Sequence, residues 1–271
     1  MKRIPAAAES VTVPTPPDTQ QGARMPERRR FAPVTPDAVT PALGSAKPAL
    51  AVHAQPEPLV PSLNWAGYVV DGGGPFTQVR ATWVQPTLAC TGPGYSAVAI
   101  WVGLGGIKTS PTLEQTGTHA LCNDRKARHD AWYEMVPADA VFYNDPVRAG
   151  DKLWAQVSFL GEDTYELLLQ NFTAGWMELT YTQPPAGPKP DRMSAEVIVE
   201  APKGADGGLK PLADFGTLAL TSCMVNGQSL GSYDRRGNLV VNDMERDGIR
   251  RATPSGLNGD GTAFDVTWVH A

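Results

Sequence analysis

From about residue 62 onward, short apolar runs alternate with a period of two, and no long stretch keeps a 3.6-residue repeat. This restricts the fold more than any other feature, because strands alternate side chains across a sheet whereas helices return them every turn. In Val98-Ala99-Ile100-Trp101-Val102-Gly103 the branched residues Val98, Ile100 and Val102 share one face, with Ala99 and Trp101 on the other. In Leu153-Trp154-Ala155-Gln156-Val157-Ser158-Phe159 the apolar set Leu153, Ala155, Val157 and Phe159 opposes Trp154, Gln156 and Ser158. Residues 165–171, 216–221 and 263–269 alternate in the same way. Such runs, at intervals of about ten residues and punctuated by Gly, Pro, Asn and Asp, predict an all-β sandwich or barrel. The segments 184–190 and 203–208, rich in Pro and Gly, interrupt the rhythm and read as surface loops.

Residues 1 to 61 behave differently. Prolines 14, 16, 17, 26, 33, 36 and 41 remove backbone donors at short intervals, which predicts a disordered leader or propeptide followed by one β domain over 62–271. Arg28-Arg29-Arg30 lies within that leader and reads as a solvated charge run or a processing site. A net charge of -5, with no basic stripe in the later sequence, argues against a nucleic-acid partner. No run of about 18 apolar residues exists to span a membrane. The first residues carry charge as a signal peptide would, but the apolar stretch after them is too short for one, so export is not visible. Cys90, Cys122 and Cys223 are too few for a disulfide scaffold and lack C-x-x-C spacing.

Two segments suggest chemistry. In Ala195-Glu196-Val197-Ile198-Val199-Glu200, a core-facing Val197 and Val199 put Glu196, Ile198 and Glu200 together on the opposite face. Two carboxylates on one strand face suit either a solvated surface or a cleft, where burial and like-charge repulsion separate their acidities. In Asp130-Ala131-Trp132-Tyr133-Glu134-Met135, the residues Asp130, Trp132 and Glu134 share a face. With Trp101 and Trp154 also on non-core faces, three tryptophans form either a groove or a second packed layer.

Five blocks in order now carry a family resemblance: Asn64-Trp65-Ala66-Gly67, Trp101-Val102-Gly103, Leu113-Glu114-Gln115-Thr116-Gly117, Asp130-Ala131-Trp132-Tyr133-Glu134 and Ala195-Glu196-Val197-Ile198-Val199-Glu200. Together they resemble the signature blocks of the glutamic peptidases, the eqolisin or peptidase A4 family. The resemblance implies a jelly-roll, concanavalin-like sandwich of two antiparallel sheets, one curved into a concave substrate cleft. It implies an acid-acting endopeptidase with Glu200 and Gln115 as the catalytic pair, Trp65, Trp132 and Glu134 lining the cleft and Asp130 as a supporting acid; Trp101, from its non-core face, is expected to bind substrate beside them. It also implies polypeptide substrates, a monomer, secretion, and no metal or other cofactor. The chain departs from the family at Gly105 and His119, where acids are usual; fewer carboxylates near Glu200 would relieve like-charge repulsion and alter the pH range.

Other motifs are weaker. Gly103-Leu104-Gly105-Gly106 precedes no helix pattern, and Lys108 lacks P-loop spacing. Cys90, His119, Cys122 and His129 have no zinc-ligand spacing, and no G-x-S-x-G elbow is present. Cys122 and Cys90 read as loop residues that can bridge, leaving Cys223 as a small core residue. A carbohydrate-binding sandwich using Trp101, Trp132 and Trp154, or a glycoside hydrolase using Glu134 and Glu200, remain alternatives, and neither would depend on Gln115.

Overall fold

The computed structural model describes residues 59–204 and 207–271. The predicted leader lies outside the described residues except for its last three, which join the first strand. That strand, β1 (Leu59–Ser62), is followed by β2 (Trp65–Asp71), β3 (Gln78–Val84), β4 (Tyr95–Gly105), β5 (Leu113–Asn123), β6 (Lys126–Val136) and β7 (Val141–Phe142). The chain continues through β8 (Lys152–Gly161), β9 (Thr164–Asn171), β10 (Trp176–Thr182), β11 (Ser194–Glu200), β12 (Thr217–Val225) and β13 (Gln228–Ser229). The single helix among the described residues, α1 (Leu230–Asp234), precedes β14 (Leu239–Arg246), β15 (Ile249–Pro254) and β16 (Phe264–Trp268). No helix among the described residues is long and apolar enough to cross a membrane.

Hydrogen-bonded neighbours run β10-β9-β8-β3-β12-β16-β15-β14-β2-β11-β4-β5-β6-β7, and apart from β1 on β14 every pairing is antiparallel. This path folds over itself into a sandwich, so that β3 lies across β4 and β11 while β8 lies across β4 and β5. The alternating apolar sets supply the filling. Val98, Ile100 and Val102 from β4 and Val197 and Val199 from β11 meet Ala81, Leu153, Ala155, Val157 and Leu167 from the facing layer, all of them solvent-inaccessible. Tyr68 and Trp83 are equally buried, and each finds a partner for its polar atom: Tyr68 donates to the Ser255 carbonyl (2.8 Å) and Trp83 to Thr118 Oγ1 (3.1 Å).

The hairpin between β5 and β6 fixes the register on which the site depends. Asp124 and Arg125 form its two-residue turn with φ of 47° and 68°, a left-handed pair whose twist matches that of the flanking strands. Cys122, read as a loop residue, is instead buried at the end of β5, because the strand runs to Asn123 before turning. It is bonded to Cys90, while Cys223 is free and buried.

Candidate active site

The strands β2, β11, β4, β5 and β6 lie side by side, and opposite residues of an antiparallel pair project to the same face. Their register therefore writes three rows across the sheet face that points away from the main core. The first holds Trp65, Glu200, Ala99, His119 and Asp130. The second holds Gly67, Ile198, Trp101, Gly117 and Trp132, and the third Val69, Glu196, Gly103, Gln115 and Glu134. The middle row needs a gap between its two indoles. Gly117 provides it, since a Cβ there would lie 2.1 Å from the Ile100 carbonyl oxygen and 2.7 Å from Trp101 Cβ.

These side chains build a second, smaller apolar cluster of Val69, Ala99, Trp101, Leu113, Trp132 and Ile198, with Trp65 and Ile107 packed against it. Above it opens a cavity of about 700 Å³, lined by Asn64, Trp65, Gln115, His119, Trp132, Glu134, Phe142 and Glu200, among others. Five of the seven residues singled out in the sequence thus meet around one space: Glu200, Gln115, Trp65, Trp132 and Glu134.

Trp101 and Asp130 do not line it. Trp101 has no exposed surface, because it lies beneath Trp65 with ring centroids 5.0 Å apart, edge to face. Its polar contact is with Glu200: the indole Nε1 donates to Glu200 Oε2 at 2.8 Å. Asp130 is drawn to Arg128, whose Nε lies 2.9 Å from both carboxylate oxygens, with His119 Nδ1 3.8 Å away. Glu196 falls on the cleft face as its period requires, yet it is completely buried, so only one of the two glutamates of that strand reaches the cavity. Trp154 stands on β8, next to Thr82 and Gln170 in the other layer, and takes no part.

Glu200 is held from two sides, with Asn64 Nδ2 donating to Oε1 at 2.7 Å and Trp101 to Oε2. Burial nonetheless dominates and pushes its carboxyl up to about 7; the donors pull it down, and the Glu134 charge adds to the rise. Gln115 is nearly inaccessible, and its Nε2 donates to Glu134 Oε2 at 2.5 Å while its Oε1 has no protein partner. Burial also raises Glu134 above the ordinary glutamate range, against the pull of the Gln115 bond. Burial lowers His119, with Asp130 opposing. Gly105, the other departure from the family pattern, has φ of +87°, and a Cβ there would meet the Thr112 carbonyl oxygen at 2.9 Å. An acid at that position would be strained in this backbone.

Asn64, Phe142, Tyr95 and Lys203 also line the cavity and were not singled out as site residues. Asn64 had a signal, since it precedes Trp65 in the first block; Tyr95 starts β4, Phe142 ends the two-residue β7 and Lys203 lies in a loop, where periodicity says nothing. Among the described residues no cluster of three or more His, Cys, Asp or Glu could hold a metal ion.

Comparison with known proteins places these features in a family. A model of the Peptidase A4 family matches residues 63–268. Aspergillopepsin-2 of Aspergillus niger is 28% identical over 229 residues, covering 77% of this chain and 78% of that protein. The crystal structure of scytalido-glutamic peptidase with a transition state analog inhibitor superposes with a TM-score of 0.66 at 24% identity, covering 77% of this chain and 99% of the other. Aspergilloglutamic peptidase from Aspergillus niger superposes with a TM-score of 0.56 at 26% identity, covering 64% of this chain and 99% of its own. With the family match extending over nearly the whole β domain, and the fold agreeing with it, the chain belongs to the Peptidase A4 family, the glutamic peptidases.

Proposed function

We propose that Glu200 and Gln115 are the working pair of this peptidase, cleaving polypeptides in the cleft without a metal or a covalent intermediate. Family membership makes the chain a peptide-bond hydrolase, an endopeptidase. The observation that carries the assignment of the pair is that both side chains face one cavity, each already oriented by a neighbour: Glu200 by Asn64 and Trp101, Gln115 by Glu134. The ionised Glu200 accepts a proton from water as the water oxygen attacks the scissile carbonyl, and it returns that proton to the departing amine.

The amide of Gln115 carries two N–H donors and one oxygen. One N–H goes to Glu134, which leaves the second for the oxyanion and Oε1 for the attacking water. A donor aimed at the oxyanion typically contributes ~3 kcal/mol to the transition state. Because burial raises Glu200 well above the reference value of about 4.3, the base form gathers toward mildly acidic and neutral pH rather than in strong acid. Trp65 and Trp132 supply apolar walls for an extended peptide. The Cys90–Cys122 bridge supports a secreted enzyme, since such bonds persist in oxidising compartments, and a monomer is the proposed form.

The test is cleavage of a quenched fluorogenic peptide by the full chain and two variants. Glu200→Gln keeps shape and hydrogen-bonding reach but removes the base, so turnover should become nearly undetectable while the peptide still binds. Gln115→Ala should lower kcat on the order of 10²-fold. Retention of more than a tenth of parental cleavage by Glu200→Gln would sink the assignment, and oligosaccharide binding and hydrolysis would then be measured.

A further inference from the structure

The proposed chemistry occupies the middle of the cleft and leaves one end of it without a task. The register extends the cleft face of β4, β5 and β6 past the row of Ala99, His119 and Asp130, first to Ala97, Leu121 and Arg128 and then to Tyr95, Asn123 and Lys126. β11 stops at Glu200, and beyond its end the segment that precedes β12 borders β4 instead: the Ala97 N–H donates to the Pro211 carbonyl (2.9 Å), and the Ala213 N–H donates to the Ala97 carbonyl (3.0 Å). Lys203 and Leu209 form a β-bridge in that stretch, and the Lys210 N–H donates to the Pro202 carbonyl (3.0 Å). The cavity therefore ends between Tyr95 and His119 on the sheet and Pro202, Lys203 and Gly204 beyond it.

Charge is divided along this cleft. Glu200 and Glu134 stand at the catalytic centre, with the charge of Asp139 acting on Glu134. The far end carries cations. Lys203 is exposed there, and no carboxylate among the described residues is paired with it. The Tyr95 hydroxyl lies in the fields of Lys210 and Arg128. The acids on the sheet side are engaged: Arg128 Nε meets both oxygens of Asp130 at 2.9 Å, and Asp124 accepts from the Gly94 N–H at 3.2 Å. His119 stands beside Asp130 at a position where the family pattern has an acid, and its Nδ1 is buried 3.8 Å from Asp130 without a hydrogen-bond partner. That leaves Nε2 as the nitrogen a ligand can meet, and an imidazole nitrogen can donate where an ionised carboxylate only accepts.

We propose that this end of the cleft is an anion-accepting subsite, in which Lys203 and His119 select polypeptide substrates that carry an aspartate or glutamate a few residues from the scissile bond. The inference rests on peptide cleavage at Glu200 and Gln115. His119 is four residues from Gln115 on one strand, or about 13 Å at ~3.4 Å per residue, a span that an extended substrate covers with about four residues. Nearer the centre, Glu134 and Glu200 repel a substrate carboxylate, so attraction is confined to the far end. Charges at a rim act on encounter and binding more than on bond breaking, and salt screens them over a Debye length of about 10 Å at 0.1 M.

A positional series of quenched fluorogenic peptides tests the subsite. One sequence has a single Gln replaced by Glu in turn at about four positions on either side of the scissile bond, and the full chain cleaves the series near pH 6, where a free glutamate with its value of about 4.3 is ionised. At one position or more, Glu should be preferred to Gln by roughly 3–5-fold in kcat/KM at low salt, carried by KM, and about 0.5 M salt should erase the preference. Lys203→Glu and His119→Asp should each abolish or reverse it, and Lys203→Arg should keep it. A Glu-to-Gln ratio of one or less at every position overturns the proposal, as does a preference that survives either Lys203→Glu or His119→Asp. Each readout is a ratio between two peptides on the same enzyme, so a chain that cleaves neither refutes the Glu200 and Gln115 reading instead. Fluorescence anisotropy of the same peptides on the parent and variants then reports the subsite, with the same ratios supporting or overturning it.

Discussion

Replacing Trp101 with Phe removes one hydrogen bond to Glu200 and leaves an aromatic ring beside Trp65. The indole Nε1 lies 2.8 Å from Glu200 Oε2 and is the main donor lowering a carboxyl that burial pushes up to about 7. A hydrogen bond to a charged group contributes about 1.5–3 kcal/mol, and the protonated carboxyl keeps part of it as an acceptor. If about half is differential, the loss is roughly 1.4 kcal/mol, or about one pH unit. The sign follows from which form gains: the donor favours the ionised base, so its removal raises the Glu200 value and depletes the base at acid pH. The ratio of variant to parental kcat/KM should therefore be about 0.1 well below the limb and climb as pH rises. The measurement is a pH profile of kcat/KM on a fluorogenic peptide, with circular dichroism at each pH to show that the variant is folded. A ratio that stays constant with pH would refute the reasoning, since it would make Trp101 a packing residue and some other group the one that titrates.

Two further substitutions test the scaffold. Gly117→Ala would place a Cβ 2.1 Å from the Ile100 carbonyl oxygen, so β4 and β5 must part; urea unfolding should show a loss of about 1–3 kcal/mol or more, with activity falling as the indoles move. Cys90→Ser with Cys122→Ser opens a loop with a sequence separation of 32, for which chain entropy gives a loss of about 3–4 kcal/mol in the same assay; an unchanged midpoint would mean that the bridge constrains nothing.

The strands and their faces were legible because alternation is a local property. Val98, Ile100 and Val102 pack in the main core and Trp101 on the other side, as period two requires of any strand at those positions. The ordered blocks brought Trp65, Gln115, Trp132, Glu134 and Glu200 to notice, and all five line one cavity. Legibility stopped where a side chain's environment depends on a distant element. Trp101 read as a substrate platform, but Trp65 covers it, and the arrival of β2 beside β11 is a tertiary event. Asp130 read as a cleft acid, but Arg128, two residues away on the same strand, turns it aside.

Glu196 and Glu200 draw the boundary most sharply. The sequence by itself determined that they share a face of one strand, since four residues are two full periods of a pleated chain. It could not determine that one is sealed and the other opens on a cavity. That was decided by the loop carrying Ile107 and Lys108, which crosses one end of β11, and by Asn64 and Trp101, which meet the carboxylate at the other. Periodicity fixes the direction in which a side chain points; the dielectric it points into, and hence its acidity, is set by whatever the rest of the chain packs there.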